Sequence, residues 1–276
     1  IMHSNGGFDV IIGNPPYVKY KREKCAYSIK NYITESCGNL YAFCMERSYT
    51  LSKTAIVGMI IPLSSICAKN MDKLRNIVCK YDSWVSSFEI RPSKLFEGVD
   101  QRVSILITNN LCNNQTLSTA IMRWDTECRK ILFKQLYYSL TVTEERIWRF
   151  SNIKELSIYK KFCTHHPIAK EISNEGNNYI HYRSAGLRYW IIFLLSEFGT
   201  DSLSNKKIKF ENKEVSQAIM AGLNSNLFWW YYSTNYDMFN LTESNITEFR
   251  LNYMNDHKIE ELAEKLDIDL YNKRSR

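Results

Sequence analysis

The sequence predicts an α/β layer structure over residues 1–124, joined to a mixed α+β region over residues 125–276. Two observations carry this reading. As far as about residue 124, short apolar runs alternate with amphipathic stretches. Beyond that point the alternation gives way to helical pieces set among aromatic-rich segments such as Phe228-Trp229-Trp230-Tyr231-Tyr232.

The elements follow in chain order. Strands are expected at 8–12, 55–61, 84–90, 102–108 and 118–124, where apolar and β-branched residues cluster. Asn39, following Gly38, opens a helix whose apolar residues are Leu40, Cys44 and Leu51, with Ser48 weakly in phase. A second helix around 70–80 places Met71, Leu74, Ile77 and Val78 on one face. Residues 91–101 then form the loop of a long hairpin between strands 84–90 and 102–108. In the second region helices are expected at 143–163, 213–223 and 256–266.

With 45% hydrophobic and 24% charged residues, the 276-residue chain has the composition of a globular protein with one large domain or two modest ones. Its formal net charge of +7 favours a polyanionic partner. The eight cysteines include no C-x-x-C pair and the five histidines show no ligand spacing, so no metal site is implied. Cys44, Cys67 and Cys79 lie in apolar stretches, as small buried thiols of a cytoplasmic protein would. No apolar run reaches the roughly 18 residues of a membrane span. The chain begins at Ile1 and is inside its most informative motif by residue 8, which reads as a segment of something longer.

That motif is Asn14-Pro15-Pro16-Tyr17, at the end of the apolar run 8–12. A planar amine is a poor nucleophile because its lone pair is delocalised. The Asn14 side-chain oxygen and the Pro15 carbonyl can each accept an N–H, turning the lone pair toward an electrophile. Consecutive prolines stiffen the turn and remove competing donors. Tyr17 offers a flat face for stacking. The plain alternative is a strand ending in a Pro-Pro turn.

The tetrapeptide resembles the signature of amino-methyltransferases that use S-adenosylmethionine. Adenine-N6 DNA, cytosine-N4 DNA, guanine-N2 RNA and protein-glutamine enzymes share it. The stretches that follow resemble, in order, the gamma-class (Taq-type) N6-adenine DNA methyltransferases of restriction-modification systems: the Asn39-Leu40-Tyr41 helix, Met59-Ile60-Ile61-Pro62, and Leu95-Phe96-Glu97-Gly98-Val99-Asp100-Gln101-Arg102. Residues 223–246 resemble the target-recognition region of the same enzymes.

This resemblance implies the C-terminal half of a class I (Rossmann-like) methyltransferase sheet, followed by a mixed α+β target-recognition domain that binds double-stranded DNA. It places Asn14 and Pro15 on the adenine amino group, with Pro16 rigidifying the turn and Tyr17 stacked on the extruded base. Phe96 becomes the second wall of the base pocket or, alternatively, a plug at the hairpin base. Asn14 and Tyr41 border S-adenosylmethionine. Lys19, Lys21, Arg22 and Lys24 are candidates for phosphate contact, as is Arg102, although a basic run is also an ordinary solvated face. His181, Arg183 and Arg188 are candidate DNA contacts in the second region, where most aromatics are expected in the core.

One departure qualifies the resemblance. The family grips its cofactor at a Gly-rich loop and an acidic residue N-terminal to the catalytic strand. Here Gly6-Gly7 directly precedes that strand, and the chain contains no G-x-G. The cofactor half is therefore expected on a preceding segment or a separate subunit, with this chain inactive alone. The alternatives are a DNA-recognition module that retains the motif without catalysis, and a protein-glutamine or RNA methyltransferase. The latter enzymes usually end soon after the last sheet strand, whereas this chain continues for a long basic and aromatic stretch.

Overall fold

The computed structural model describes residues 7–52, 54–110, 113–186, 191–252 and 257–273. They divide into two compact units, residues 1–157 with 234–237, and residues 158–233 with 238–276. The boundary expected after residue 124 falls inside the first unit.

The first unit is built on six strands: β1 (Val10–Gly13), β2 (Ile56–Pro62), β3 (Asp82–Phe88), β4 (Val103–Asn109), β5 (Thr116–Met122) and β6 (Ser139–Leu140). Their order in the sheet is β1-β2-β4-β3-β5-β6. β1 pairs parallel with β2, and β3 parallel with β5. β4 runs antiparallel between β2 and β3, so β1, β2, β3 and β5 all point one way. This is the expected α/β sheet. The reversal at β4 has a local cause, since residues 89–102 connect β3 to β4 as a loop rather than a helical crossover. The hairpin expected around that loop is present.

Three helices accompany the sheet: α1 (Leu40–Leu51), the single turn α2 (Ser64–Cys67) and α3 (Asp72–Val78). The expected face of α1 is rotated in the structure. Tyr41, Ala42, Met45, Glu46 and Tyr49 are buried, whereas Cys44 is exposed. Two attractions set this phase. Tyr41, Met45 and Tyr49 recur at i, i+4, i+8 and enter the core with Val57, Met59, Leu74 and Val85. The Glu46 carboxylate accepts hydrogen bonds from Ile33 N, Thr34 N and Thr34 Oγ1 at 2.9, 2.8 and 2.7 Å. Of the expected face, Met71, just before α3, and Leu74 and Val78 on it are buried; Arg75 joins them, while Ile77 is only partly covered.

The helix expected over 143–163 shortens to α4 (Lys154–Cys163). Residues 146–150 are non-helical, and every one is buried. Three of their five N–H groups bond far along the chain: Ile147 N donates to Ile66 O and Arg149 N to Thr234 O, both at 3.0 Å, and Phe150 N to Ser118 Oγ at 3.1 Å. Tertiary pairing overrides helical spacing here.

In the second unit, β7 (Asn178–Arg183) and β8 (Asn205–Phe210) form an antiparallel ribbon. α5 (Lys213–Leu223) packs on α8 (His257–Lys273) and on β7. Phe162, Phe193, Phe228, Tyr231 and Phe249 stack into a shared aromatic core, with ring centroids 5.2–6.1 Å apart. α6 (Asn226–Asn235) supplies two of these rings, and α7 (Glu243–Thr247) follows. The end of the 223–246 segment forms the start of α7, with Thr242 as its N-cap. Thr242 N donates to Asn245 Oδ1 at 2.6 Å and Asn245 N to Thr242 Oγ1 at 3.4 Å, a capping box that leaves Asn245 buried. Among the described residues no helix is long and apolar enough to cross a membrane, and no group of three or more His, Cys, Asp or Glu residues is arranged to hold a metal.

Candidate active site

The sheet gathers its loops at one end. The turn after β1, the residues after β2, and the loop from β3 into β4 all lie at the carboxyl ends of the parallel strands, the usual place for ligands in open α/β sheets. Asn14 is exposed there, Pro15 buried and Pro16 exposed. The turn is pinned on both sides. Behind it, Gly13 pairs with Met59. Ahead of it, Leu40 N donates to Val18 O and Tyr20 N to Gly38 O, both at 2.9 Å, tying residues 18–20 to the start of α1. Gly38 adopts φ +62°, a left-handed conformation that favours glycine.

Tyr17 is half-buried and packs against both apolar clusters of the unit. Burial pushes its phenol up to about 12. The buried hydroxyl has no hydrogen-bond partner among the described residues. Its ring meets the Tyr41 ring edge-on, centroids 6.2 Å apart and planes at 87°. Phe96 packs against the cluster of Phe88, Leu95, Val103, Trp124 and Leu132, as Tyr17 does. The two aromatic side chains proposed from sequence as pocket walls thus share one cluster, although residues 18–95 separate them in the chain.

Tyr41 is placed differently from the expectation of a cofactor contact. It is 3% exposed, and its hydroxyl donates to Met71 Sδ at 3.4 Å. Desolvation raises its pKa, and Ser64 is a further polar neighbour. A ring so enclosed supports Tyr17 from behind and has almost no free face for a ligand.

Lys19, Lys21 and Arg22 are exposed beyond the turn, and none is in an ion pair among the described residues. The side chain of Lys24 lies outside the described residues. Arg102 departs from the picture of an exposed phosphate contact. Its Nε is 2.7 Å from Glu89 Oε1, its Nη1 donates to Asp237 O at 3.1 Å, and its side chain is only 19% exposed. The guanidinium is consumed by internal partners.

In the second unit His181 is 8% exposed; its backbone N–H and C=O both bond to Leu194, at 2.7 and 3.0 Å, and it lies opposite Lys207 of β8. Desolvation lowers its pKa. It lines a cavity of about 690 Å³ with Glu197, Phe198, Asn205 and Lys207. The Arg183 guanidinium lies 4.7 Å from the Phe198 ring centroid and donates to Thr200 Oγ1 at 2.8 Å. Arg188 lies outside the described residues.

Sequence reasoning missed three supporting residues. Glu46 organises residues 33–37, which lead into the α1 start. Arg129 lies 5.6 Å over the Trp124 ring and donates to Lys94 O and Leu95 O at 3.3 and 2.8 Å, bracing the Phe96 loop. Glu89 closes that loop on Arg102. The only sequence signal was a charged residue within or beside an apolar stretch at positions 46 and 89.

Residues 1–96 match the family described as Eco57I restriction-modification methylase. The matched segment holds β1, the Asn14–Tyr17 turn, α1 and Phe96. A search of curated proteins returns no match. Among solved structures, the chain is similar to the nuclease-deletion mutant of the Type ISP restriction-modification enzyme LlaGI in complex with a DNA substrate mimic, at 15% identity over 64% of this chain and 18% of that one, with a TM-score of 0.42. It is similar to the DrdV-DNA complex at 16% identity over 48% of this chain and 17% of that one, TM-score 0.39. For the ATP-dependent Type ISP enzyme LlaBIII bound to DNA the values are 15%, 64%, 14% and 0.37. The chain spans less than a fifth of the length of each of these three.

Proposed function

We propose that this chain is the catalytic and target-recognition portion of a site-specific DNA methyltransferase that moves a methyl group from S-adenosylmethionine to N6 of an extruded adenine in duplex DNA. The observation that carries this reading is the exposed Asn14 at the carboxyl end of β1, beside a Tyr17 that shares an apolar cluster with Phe96. The match of residues 1–96 to a restriction-modification methylase family supports the methyl-transfer chemistry.

Asn14 Oδ1 and the Pro15 carbonyl would accept the two N–H groups of the adenine amine, and no strong base is needed once the lone pair is localised. Tyr17 and Phe96 would flank the base, offsetting the few kcal/mol that unstacking costs. The buried, unpaired Tyr17 hydroxyl also supports a functional site here, since such atoms are rare in folded proteins.

S-adenosylmethionine, when bound, supplies the methyl group. On this chain Asn14 fits its methyl end, whereas Tyr41 is too enclosed to hold it. We therefore assign the cofactor half to further strands on a preceding segment or separate subunit. Among the described residues β1 pairs only with β2, leaving Val10 and Ile12 55% and 79% exposed. An open apolar strand edge of this kind calls for a neighbour. The second unit would bind the duplex, with Lys19, Lys21 and Arg22 on the phosphates near the extruded base.

The test is transfer of labelled methyl to adenine-containing duplex by the completed enzyme. Asn14→Ala should abolish transfer while leaving DNA binding largely intact. The competing reading is a recognition module without catalysis. It predicts DNA binding with no transfer under any completion.

A further inference from the structure

The loop that carries Phe96 is closed at its stem by an ion pair. Glu89, 4% exposed, follows β3; Arg102 immediately precedes β4; and their Oε1 and Nε atoms are 2.7 Å apart. Arg102 has a second partner outside the loop, since its Nη1 donates to Asp237 O at 3.1 Å.

Asp237 belongs to the four residues 234–237, which cluster with the first unit although the chain on both sides of them forms the second. Thr234, Asn235 and Tyr236 are all buried. Two other arginines hold this return segment. Arg149 N donates to Thr234 O at 3.0 Å and Arg149 Nη2 to Tyr236 O, while the Arg146 guanidinium lies 4.7 Å from the Tyr236 ring centroid. Of these three arginines, Arg102 is the one that also grips the stem of the Phe96 loop.

We propose that Arg102 is a positioning residue that couples the return segment 234–237 to the Phe96 loop, so that the wall at Phe96 is set only when the segment is seated. This inference rests on the reading of Phe96 as a wall of the base pocket. The chemistry explains why arginine stands here. The planar, permanently charged guanidinium holds its Nε against the Glu89 carboxylate as an ion pair while Nη1, at a fixed angle to it, donates to the Asp237 carbonyl. A lysine ammonium on a flexible stem cannot hold both geometries at once. The loop has a second brace, Arg129 on Lys94 O and Leu95 O, which does not involve 234–237 and serves as the control.

The experiment compares amide hydrogen exchange in the full chain for wild type, Arg102→Lys and Arg129→Ala. Arg102→Lys should speed exchange in both 90–101 and 234–237, whereas Arg129→Ala should speed it in 90–101 alone. Faster exchange in only one segment of the Arg102→Lys protein, or uniform loosening of the whole first unit, overturns the coupling. In the completed enzyme Arg102→Lys should lower kcat about 10- to 100-fold, with KM for DNA within about twofold of wild type. An unchanged kcat, or a proportional loss of DNA affinity, also overturns it. A wild-type enzyme that methylates no adenine defeats the functional reading instead, and the exchange result still decides the coupling.

Discussion

Glu46 should be among the most costly single residues of the first unit to remove. Its carboxylate, on a residue 7% exposed, accepts hydrogen bonds from Ile33 N, Thr34 N and Thr34 Oγ1. Thr34 is fully buried, so Glu46→Ala strands its N–H and hydroxyl away from water, whereas Ile33 is 65% exposed and can rehydrate. Two stranded donors at about 1–3 kcal/mol each give a loss of about 2–6 kcal/mol. Both Thr34 donors bond to Oε2 and only Ile33 N to Oε1, so Glu46→Gln with its oxygen at the Oε2 position keeps both buried bonds and should lose much less. In urea unfolding of the full chain, followed by circular dichroism, a slope of about 2 kcal/mol per molar turns the alanine loss into a midpoint about 1–3 M lower. The reasoning is refuted if Glu46→Ala shifts the midpoint by less than about 0.3 M, or if Gln is no better than Ala. The loss should also reach the site, because residues 33–37 lead through Gly38 to the pairing that holds residues 18–20.

Two further outcomes follow from charge. The Tyr17 and Tyr182 phenols are held near 12 by burial, above the ordinary 10, and those of Tyr41 and Tyr49 are also raised. The folded state thus keeps protons that the unfolded state releases. Stability from these groups is complete below pH 10 and is lost as pH rises from about 10 through 12. Thermal melts across this range should fall together with the appearance of tyrosinate absorbance; a flat melting temperature to pH 12 would contradict the burial argument. Replacing Lys19, Lys21 and Arg22 by Gln should make the dependence of log K for duplex DNA on log salt shallower by about 0.9 per lost phosphate contact. An unchanged slope would mark the run as a solvated face.

What the sequence made legible was local. The first five strands and the Asn14–Tyr17 turn are set by short apolar runs and by Pro-Pro stiffness, and each of those five lies within two residues of its expected ends, whereas β6, β7 and β8 were not expected. The phase of α1 was not legible, because Glu46 is drawn inward by donors on residues 33 and 34 that no helical period encodes. Residues 146–150 were unreadable for a related reason: three of their N–H groups bond to Ile66, Ser118 and Thr234, all distant in the chain. Arg102 shows the same limit at the site. Basic character and position suggested a phosphate contact, but the side chain is only 19% exposed, ion-paired to Glu89 and donating to Asp237 O. A charged side chain's role depends on what faces it, and that is a property of the fold.

The central claim, that Asn14 and Tyr17 handle the amino group of an extruded adenine, is tested most directly by identifying the methylated base. Duplex DNA treated with the completed enzyme and labelled S-adenosylmethionine should yield N6-methyladenine on digestion and mass spectrometry, and none with Asn14→Ala at equal DNA binding. Methylcytosine, methylated glutamine in protein, or undiminished N6-methyladenine from the Asn14→Ala enzyme would contradict the account.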